Sequence, residues 1–321
     1  MSWVEMKVRG LREEAEGILG LELCPLNDDG LPFSWTPGAH VDLQLGSGLV
    51  RQYSLTNLAE EGCLRLAIKR EPDSRGGSQW LHEQLRLGSR MQVGVPRNLF
   101  ALAPGTAPVV LLAAGIGVTP LLAMYRACRA QQRPVHLYYF SRSRAQSAFL
   151  DELRTQPDVS LFSGLSSVEI ALRLPALLAN RQPDSLLYSC GPAGFMDCVF
   201  ESARAVGWPS EVLYREHFQT HLQAPEHAAA NQAQRVQLWL AKSGKQVAVN
   251  SGETLVAAAA RVGVEITTSC GMGMCGACMT RVVSGEVDHH DQYLSDAERA
   301  SGEWIMPCVS SCSSNALVLD L

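Results

Sequence analysis

What this chain is short of narrows its function first. Positive charge is not in excess: 27 Lys and Arg stand against 32 Asp and Glu, for a formal net charge of -5. A protein that neutralises nucleic-acid phosphates, or that rests on an anionic membrane, needs the opposite balance, so neither partner is expected. Unbroken apolar runs are missing as well. The longest, "APVVLLAAGIGVTPLLAM" (107–124), is interrupted by Gly115, Gly117 and Pro120, and it reads as a buried strand and turn rather than a membrane span. The opening "MSWVEMKVRGLREEAEG" lacks the apolar core of an export signal, and no internal repeat recurs along the chain. The expectation is a cytoplasmic protein. Ten cysteines in that reducing setting point to metal binding or redox chemistry before disulfides.

What is present is ordinary globular material, 46% hydrophobic over 321 residues, enough for two or three domains of about 100–150 residues each. Up to about residue 100, short alternating runs ("HVDLQL", "RQYSLTN", "CLRLAIKR") are separated by Gly, Pro and Asn/Asp turns. That pattern predicts an antiparallel sheet, closed as a small barrel. From about 105 to 220, apolar strands ("PVVLLAAG", "VHLYYFS", "SLLYSCG") alternate with helical stretches ("TPLLAMYRACRAQ", "AFLDELRTQ", "GFMDCVFESARAVG"), which predicts a parallel α/β domain. A segment without apolar periodicity follows. The remainder opens on a hairpin pattern, "RVQLWLAKSGKQVAVNSG", and continues with a helix, "TLVAAAARVG".

The densest chemistry lies in "SCGMGMCGACMTRVVSG" (269–285). Cys270, Cys275 and Cys278 are spaced C-x4-C-x2-C, and Cys308 follows 30 residues on. This is the ligand spacing of a plant-type [2Fe-2S] cluster, in which four thiolates hold two irons. A zinc site would favour a second C-x2-C knuckle, which is missing here. The glycines suit a loop that must turn tightly around a cluster and aim backbone N–H groups at it. Cys308, after the apolar "WIMP", is the expected fourth ligand, with Cys312 the other candidate.

Two glycine turns mark the middle of the chain. "AAGIGVTP" places Gly115 and Gly117 after a strand, with Thr119 and Pro120 opening a helix, Pro suiting the first helical position. "YSCGPAGFMD" repeats the arrangement with Cys190, Gly191 and Pro192. Either alone is equally well read as tight strand–helix packing. Both, at the C-terminal ends of strands in one sheet, are expected to face one nucleotide-binding crevice. In "RQYSLTN", Arg51, Tyr53 and Leu55 share one strand face, and Gln52 and Ser54 the other. In "SRGGSQWLHEQL", Gly76, Gly77 and Ser78 lead into a helix whose N–H groups can meet a phosphate. An ordinary strand and an ordinary capped helix account for these two segments equally well.

Taken in order, "RQYSLTN", "RGGS", "AAGIGVTP", "CGP" and the cysteine spacing make the chain similar, over essentially its whole length, to the phthalate dioxygenase reductase family, and similar also to the reductases of vanillate O-demethylase and carnitine monooxygenase. The closing "SGEVDHHDQYLSDAERA…LVLDL" resembles the family's C-terminus. The resemblance implies a multi-domain protein. An FMN-binding antiparallel β-barrel would span 1–102 and an NAD-binding parallel-sheet α/β domain 103–221. A linker would span 222–234 and an α+β β-grasp ferredoxin domain 235–321. It implies that Arg51, Tyr53, Ser54, Ala67, Lys69, Gly76, Gly77 and Ser78 contact FMN. Gly115, Gly117, Thr119, Pro120, Ser141, Arg142, Cys190, Gly191 and Pro192 would line the nicotinamide nucleotide site. The family places an aromatic after a Glu near the end of its NAD domain; "REHFQT" keeps it as Phe218, after His217. The implied activity runs from NADH through FMN and the [2Fe-2S] cluster to a separate Rieske-type terminal oxygenase, with an aromatic acid or aryl ether as that partner's substrate. No residue is needed as a general acid or base, and a monomer is expected. Arg142 and Arg144 also suit a 2′-phosphate, so NADPH stays the second reading beside NADH. Other functions compatible with the motifs are a stand-alone reductase of small acceptors, a reductase for a di-iron monooxygenase, and a redox sensor.

Overall fold

The structure is a computed structural model. It describes residues 3–27, 30–46, 49–72, 76–218, 236–250, 252–268, 271, 273, 276–291 and 293–321. The expected linker 222–234 lies outside the described residues. The chain forms two compact units, Met1–Gln219 and Thr220–Leu321.

The first unit begins with strands β1 (Trp3–Ala15), β2 (Ile18–Pro25), β3 (His40–Gln44), β4 (Val50–Ser54), β5 (Leu64–Lys69) and β6 (Arg90–Gly94), with helix α1 (Gly77–Gln84) between the last two. They pair antiparallel in the order β4-β3-β6-β1-β2-β5. Alternating residues such as Leu21, Leu23, Val41, Leu43, Leu64, Leu66 and Val93 point inward, and Leu81 and Leu85 from the α1 segment cover the core. The sheet's two edges would be open, but the chain after β4 turns back onto β5. Thr56 N donates to Arg65 O at 2.9 Å, and Arg65 N donates to Asn57 Oδ1 at 2.9 Å. Asn57 Nδ2 donates to Cys63 O at 2.8 Å. One fully buried amide side chain thus replaces missing ladder bonds between the edge strands, and pairing of this kind removes a sheet's exposed edges.

The second half of this unit holds β7 (Val109–Ala114), α2 (Val118–Ala130), β8 (Val135–Ser141), α3 (Leu150–Leu153), β9 (Val159–Ser163), α4 (Ser167–Ala179), β10 (Leu186–Cys190), α5 (Ala193–Ala205) and β11 (Leu213–Glu216). All five strands are parallel, in the order β11-β10-β7-β8-β9. The chain therefore builds outward from β7 to β9, then crosses back to place β10 on the other side of β7. That reversal is the sheet's switch point, where open α/β sheets leave a crevice beyond the strand ends. The expected helix in "AFLDELRTQ" is a single turn, because buried Phe149 adopts φ +59° and starts it abruptly. Helix α4 and strand β9 had no clear sequence signal. Pro175 inside the helix masks it, although Ser166 and Glu169 form a capping box at its start.

Barrel and parallel sheet share a core, in which Ile18, Ala67 and Phe100 join Leu111, Leu122 and Tyr188. Arg126 on α2 donates to Thr56 O at 2.7 Å and grips Glu152 with Nε at 2.9 Å and Nη2 at 2.5 Å.

The second unit contains β12 (Gln237–Leu240), β13 (Lys245–Ala248), α6 (Leu255–Arg261), β14 (Thr280–Ser284), β15 (Val287–Asp288), α7 (Asp296–Ser301), β16 (Trp304–Ile305), β17 (Ser311–Cys312) and β18 (Ala316–Leu319). Its main sheet runs β13-β12-β18-β14-β16, with β12 and β18 parallel at the centre and the other pairs antiparallel. Helix α6, capped by the Thr254 hydroxyl, packs Leu255, Ala258 and Ala259 onto Leu238, Leu317 and Leu319. This is the β-grasp arrangement of an α+β domain.

The barrel closure is testable. Asn57→Ala leaves a buried N–H and a buried C=O unpaired, and should lower the stability of the first unit by about 3 kcal/mol. Glu60→Ala, exposed in the same loop, should change it by less than about 0.5 kcal/mol. Equal thermal shifts for the two variants would refute the closure role.

Candidate functional site

The two glycine turns meet at the switch point. Gly115 has φ +56°, a left-handed conformation that glycine adopts without strain. Gly117 has another reason to be bare: a Cβ there would lie 2.3 Å from Cys190 O and 2.7 Å from Gly191 N. A Cβ on Gly191 would in turn meet Ala114 Cβ at 2.8 Å. The main chains after β7 and β10 are therefore in contact. Thr119 is buried and donates its hydroxyl to Ile116 O at 2.9 Å, which ties the turn to α2. Pro120 is the third residue of α2, not the first. Its missing N–H still falls among those without an intrahelical acceptor. At the end of β8, Ser141 Oγ is 2.7 Å from Ser147 Oγ, while Arg142 is exposed. Barrel strand β5, which carries buried Ala67, abuts the Gly115–Gly117 turn.

Strand β11 brings to this edge the Glu of "REHFQT", to which no role attached in the sequence. Glu216 stands opposite Cys190 in the parallel register. Burial pushes its carboxyl up to about 8, so the group is protonated at neutral pH. Burial, and then Glu216 itself, push the Cys190 thiol up as well. Next in sequence, burial lowers the His217 imidazole. Glu216 Oε2 and His217 Nε2 are buried without a hydrogen-bond partner among the described residues. Phe218 packs against the cluster that contains Ala67, Val118 and Cys190. Orphaned polar atoms beside an apolar ring suit a planar ligand with polar edges.

On the barrel, Arg51 crosses the start of α1. A Cβ on Gly77 would lie 2.7 Å from both Cγ and Nε of Arg51. Gly76, at φ +86°, is the residue that caps this helix. A guanidinium beside free N–H groups of a first helical turn is suited to an oxyanion such as a phosphate. Ser78 Oγ accepts from Glu71 N at 3.1 Å, and His82 Nε2 lies 2.8 Å from Ile68 O, so α1 is pinned to the β5 segment. Lys69 is engaged by Glu71 at 2.7 Å. Ser54 is buried, and burial pushes the Tyr53 phenol up to about 12, which keeps it neutral.

In the second unit, Gly271, Gly273 and Gly276 have φ of +64°, +70° and +70°. Gly276 also lies under the Tyr293 ring, which a Cβ would strike at 2.4 Å. Cys278 and Cys308 are buried, with Sγ atoms 3.1 Å apart, well beyond the ~2.05 Å of a disulfide. Two thiols that converge from the glycine-bent loop and from a segment 30 residues further on suit a soft metal centre. Cys270 and Cys275 lie outside the described residues. Cys312 is placed elsewhere, on β17, with Sγ 3.1 Å from both Ser314 O and Ser314 Oγ.

Comparison with known proteins places these features in a family. A profile for the 2Fe-2S iron-sulfur cluster binding domain matches residues 240–313. The chain is similar to the vanillate O-demethylase oxidoreductase of Acinetobacter baylyi, with 36% identity over 99% of each protein. It is also similar to a putative toluene-4-sulfonate monooxygenase system reductase subunit of Comamonas testosteroni, with 38% identity over 99% of each. Among solved structures, phthalate dioxygenase reductase is described as a modular structure for electron transfer from pyridine nucleotides to [2Fe-2S]. It matches with a TM-score of 0.77 and 31% identity, over 100% of this chain and 98% of that one.

The buried carboxyl makes a prediction with a sign. Glu216 ionises near 4.5 in the unfolded chain and near 8 in the folded one. Its contribution is therefore fully present below pH 4.5, declines as pH rises toward 8 and is flat above that. Glu216→Gln, which keeps the shape and cannot ionise, should gain in thermal stability over wild type progressively across that window. A difference in Tm that does not change with pH would refute the shifted carboxyl.

Proposed function

Because the chain belongs to the phthalate dioxygenase reductase family, we propose that it is the reductase component of an oxygenase system. It would carry electrons from NADH to a separate, Rieske-type terminal oxygenase. The observation that supports this most directly is the meeting of three segments. The two glycine turns touch at the sheet's switch point, and barrel strand β5 abuts the first of them. A nicotinamide held by the crevice and a ring held by the barrel would be neighbours, as hydride transfer requires.

FMN is the ring in this reading; when bound, it would supply the conversion of one hydride, an electron pair, into single electrons for a one-electron [2Fe-2S] cluster. Arg51, with the α1 start at Gly76, Gly77 and Ser78, holds its phosphate. Tyr53 and Ser54 border the ring, and Ala67 keeps the approach to the glycine turn open. Lys69, engaged by Glu71, orients that stretch of β5 rather than serving as a loose cation. Gly115, Gly117, Thr119 and Pro120 shape one wall of the nucleotide crevice, and Cys190, Gly191 and Pro192 the other. Ser141 and Arg142 would serve the adenosine end of the nucleotide, and Phe218 would shield the meeting point from water. Cys270, Cys275, Cys278 and Cys308 are the cluster ligands, with Cys308 favoured by its closeness to Cys278.

Plant-type clusters lie near about -400 mV and Rieske centres between about -150 and +300 mV, so delivery to such an oxygenase is downhill. We assign the flavin domain to 1–102, the nucleotide domain to 103–221, the linker to 222–234 and the ferredoxin domain to 235–321. The protein is read as a cytoplasmic monomer whose partner oxygenase acts on an aromatic acid or aryl ether.

Boiling the purified protein should release FMN, identified by chromatography of the supernatant; FAD in its place would overturn the assignment of the barrel. In Cys278→Ser, NADH-driven cytochrome c reduction should fall by roughly tenfold or more, while ferricyanide reduction stays near wild type. Cys312→Ser should leave both activities and the iron content unchanged. Equal loss of the two activities in Cys278→Ser would contradict the ordered path, and iron loss in Cys312→Ser alone would make Cys312 the ligand.

A further inference from the structure

Behind the cysteine loop, within "SGEVDHHDQYLSDAERA", lies a carboxylate that none of the site assignments uses. Asp291 follows strand β15 and is 5% exposed. Its Oδ2 accepts the backbone N–H groups of Leu294 at 2.9 Å and Tyr293 at 3.2 Å. Its Oδ1 accepts the Ser310 hydroxyl at 3.3 Å and faces His289 Nδ1 at 3.3 Å. Arg299 Nη2 donates to the Asp291 carbonyl oxygen at 2.7 Å and stands 3.8 Å from Oδ2. Backbone, hydroxyl and guanidinium partners all donate to this residue. Ser310, two residues beyond Cys308, also accepts the His290 N–H at 3.2 Å.

Gly273 and Gly276 of the cysteine loop rest against the segments around this carboxylate. A Cβ on Gly273 would lie 2.5 Å from Val309 Cγ2, 2.9 Å from Asp291 Cα and 3.0 Å from Asp291 Cβ. A Cβ on Gly276 would lie 2.4–2.7 Å from the Tyr293 ring and its hydroxyl. Gly273 and Gly276 come from the loop that carries three cysteines, and Val309 is the neighbour of the fourth. Asp291 therefore joins the two cysteine-bearing segments, by packing on one side and through Ser310 on the other.

We propose that Asp291 is a positioning residue for the iron–sulfur site: it fixes the seat of the three-cysteine loop against the Cys308 segment and supplies a buried negative charge behind it. The proposal rests on the [2Fe-2S] reading of the loop. Groups behind the ligands orient them and commonly govern metal retention, and net charge near a cluster lowers its potential, because reduction adds a further negative charge.

The test uses the full-length holoprotein. Asp291→Asn keeps the side chain's size and removes its charge; Asp291→Ala removes the anchor. Asp288→Asn, on β15 but more exposed, controls for charge alone. The EPR-monitored midpoint potential of Asp291→Asn should shift positive, by more than that of Asp288→Asn. Iron transfer to a chelator should be about tenfold faster in Asp291→Ala than in wild type. NADH–ferricyanide activity should be retained in all three variants. Failure of Asp291→Asn to take up iron while that activity is retained would also support the anchoring role. Wild-type potential in Asp291→Asn together with wild-type iron loss in Asp291→Ala would overturn the proposal alone. A wild-type protein without iron would overturn it together with the cluster reading.

Discussion

The contact on which the first unit's chemistry depends is a main chain touching a main chain. Gly117 approaches Cys190 and Gly191 so closely that a single added carbon would sit 2.3 Å from a carbonyl oxygen. Close packing leaves no slack for such an atom, and backbone cannot swing aside as a long side chain can. The contact joins the ends of β7 and β10 at the place in the sheet where the strand order reverses. The floor of the crevice, the start of α2 and the approach of β5 all follow from it.

The barrel is bound to that sheet more firmly than a hinge would be. Ala67 and Phe100 are buried in the same cluster as Leu111 and Tyr188, and Arg126 bridges the loop after β4 to Glu152. A shared core is consistent with a hydride donor and acceptor site that keep a constant distance. The glycine-rich loop of the second unit meets a comparable demand differently. There the bare backbone is shaped for a cluster, and a buried carboxylate, rather than a second glycine turn, supplies the surface it packs on.

Polar groups decide both sites, and they divide by whether the protein satisfies them. Asn57 and Asp291 are fully engaged, and each closes a structure that hydrophobic packing alone would leave open. Glu216 Oε2 and His217 Nε2, by contrast, are buried at the crevice without a hydrogen-bond partner among the described residues. Such groups cost stability where they stand, so their place is intelligible as part of a site that a ligand completes. The same carboxyl that weakens the fold above pH 4.5 is thereby kept protonated beside the two glycine turns.

Much of this was legible from the order of residues, because it is locally encoded. The spacing of Cys270, Cys275 and Cys278 is a property of nine residues, and strand–helix alternation needs only a period and a turn. The glycines at 115, 117, 273 and 276 also stood out in the sequence, although not for all their reasons: positive φ is local, but the clash that excludes a side chain at Gly117 comes from a strand more than seventy residues away. The order of residues favoured Cys308 over Cys312, and the tertiary structure added where each points: the Cys308 sulfur toward Cys278 and the Cys312 sulfur toward Ser314. Tertiary structure alone revealed that the Thr119 hydroxyl is already used, that Asn57 closes a barrel, that Glu216 Oε2 is buried and that Asp291 is buried. Burial and hydrogen-bond partners are set by residues distant in the chain, and a carboxylate's neighbours in sequence carry no record of the water it has lost.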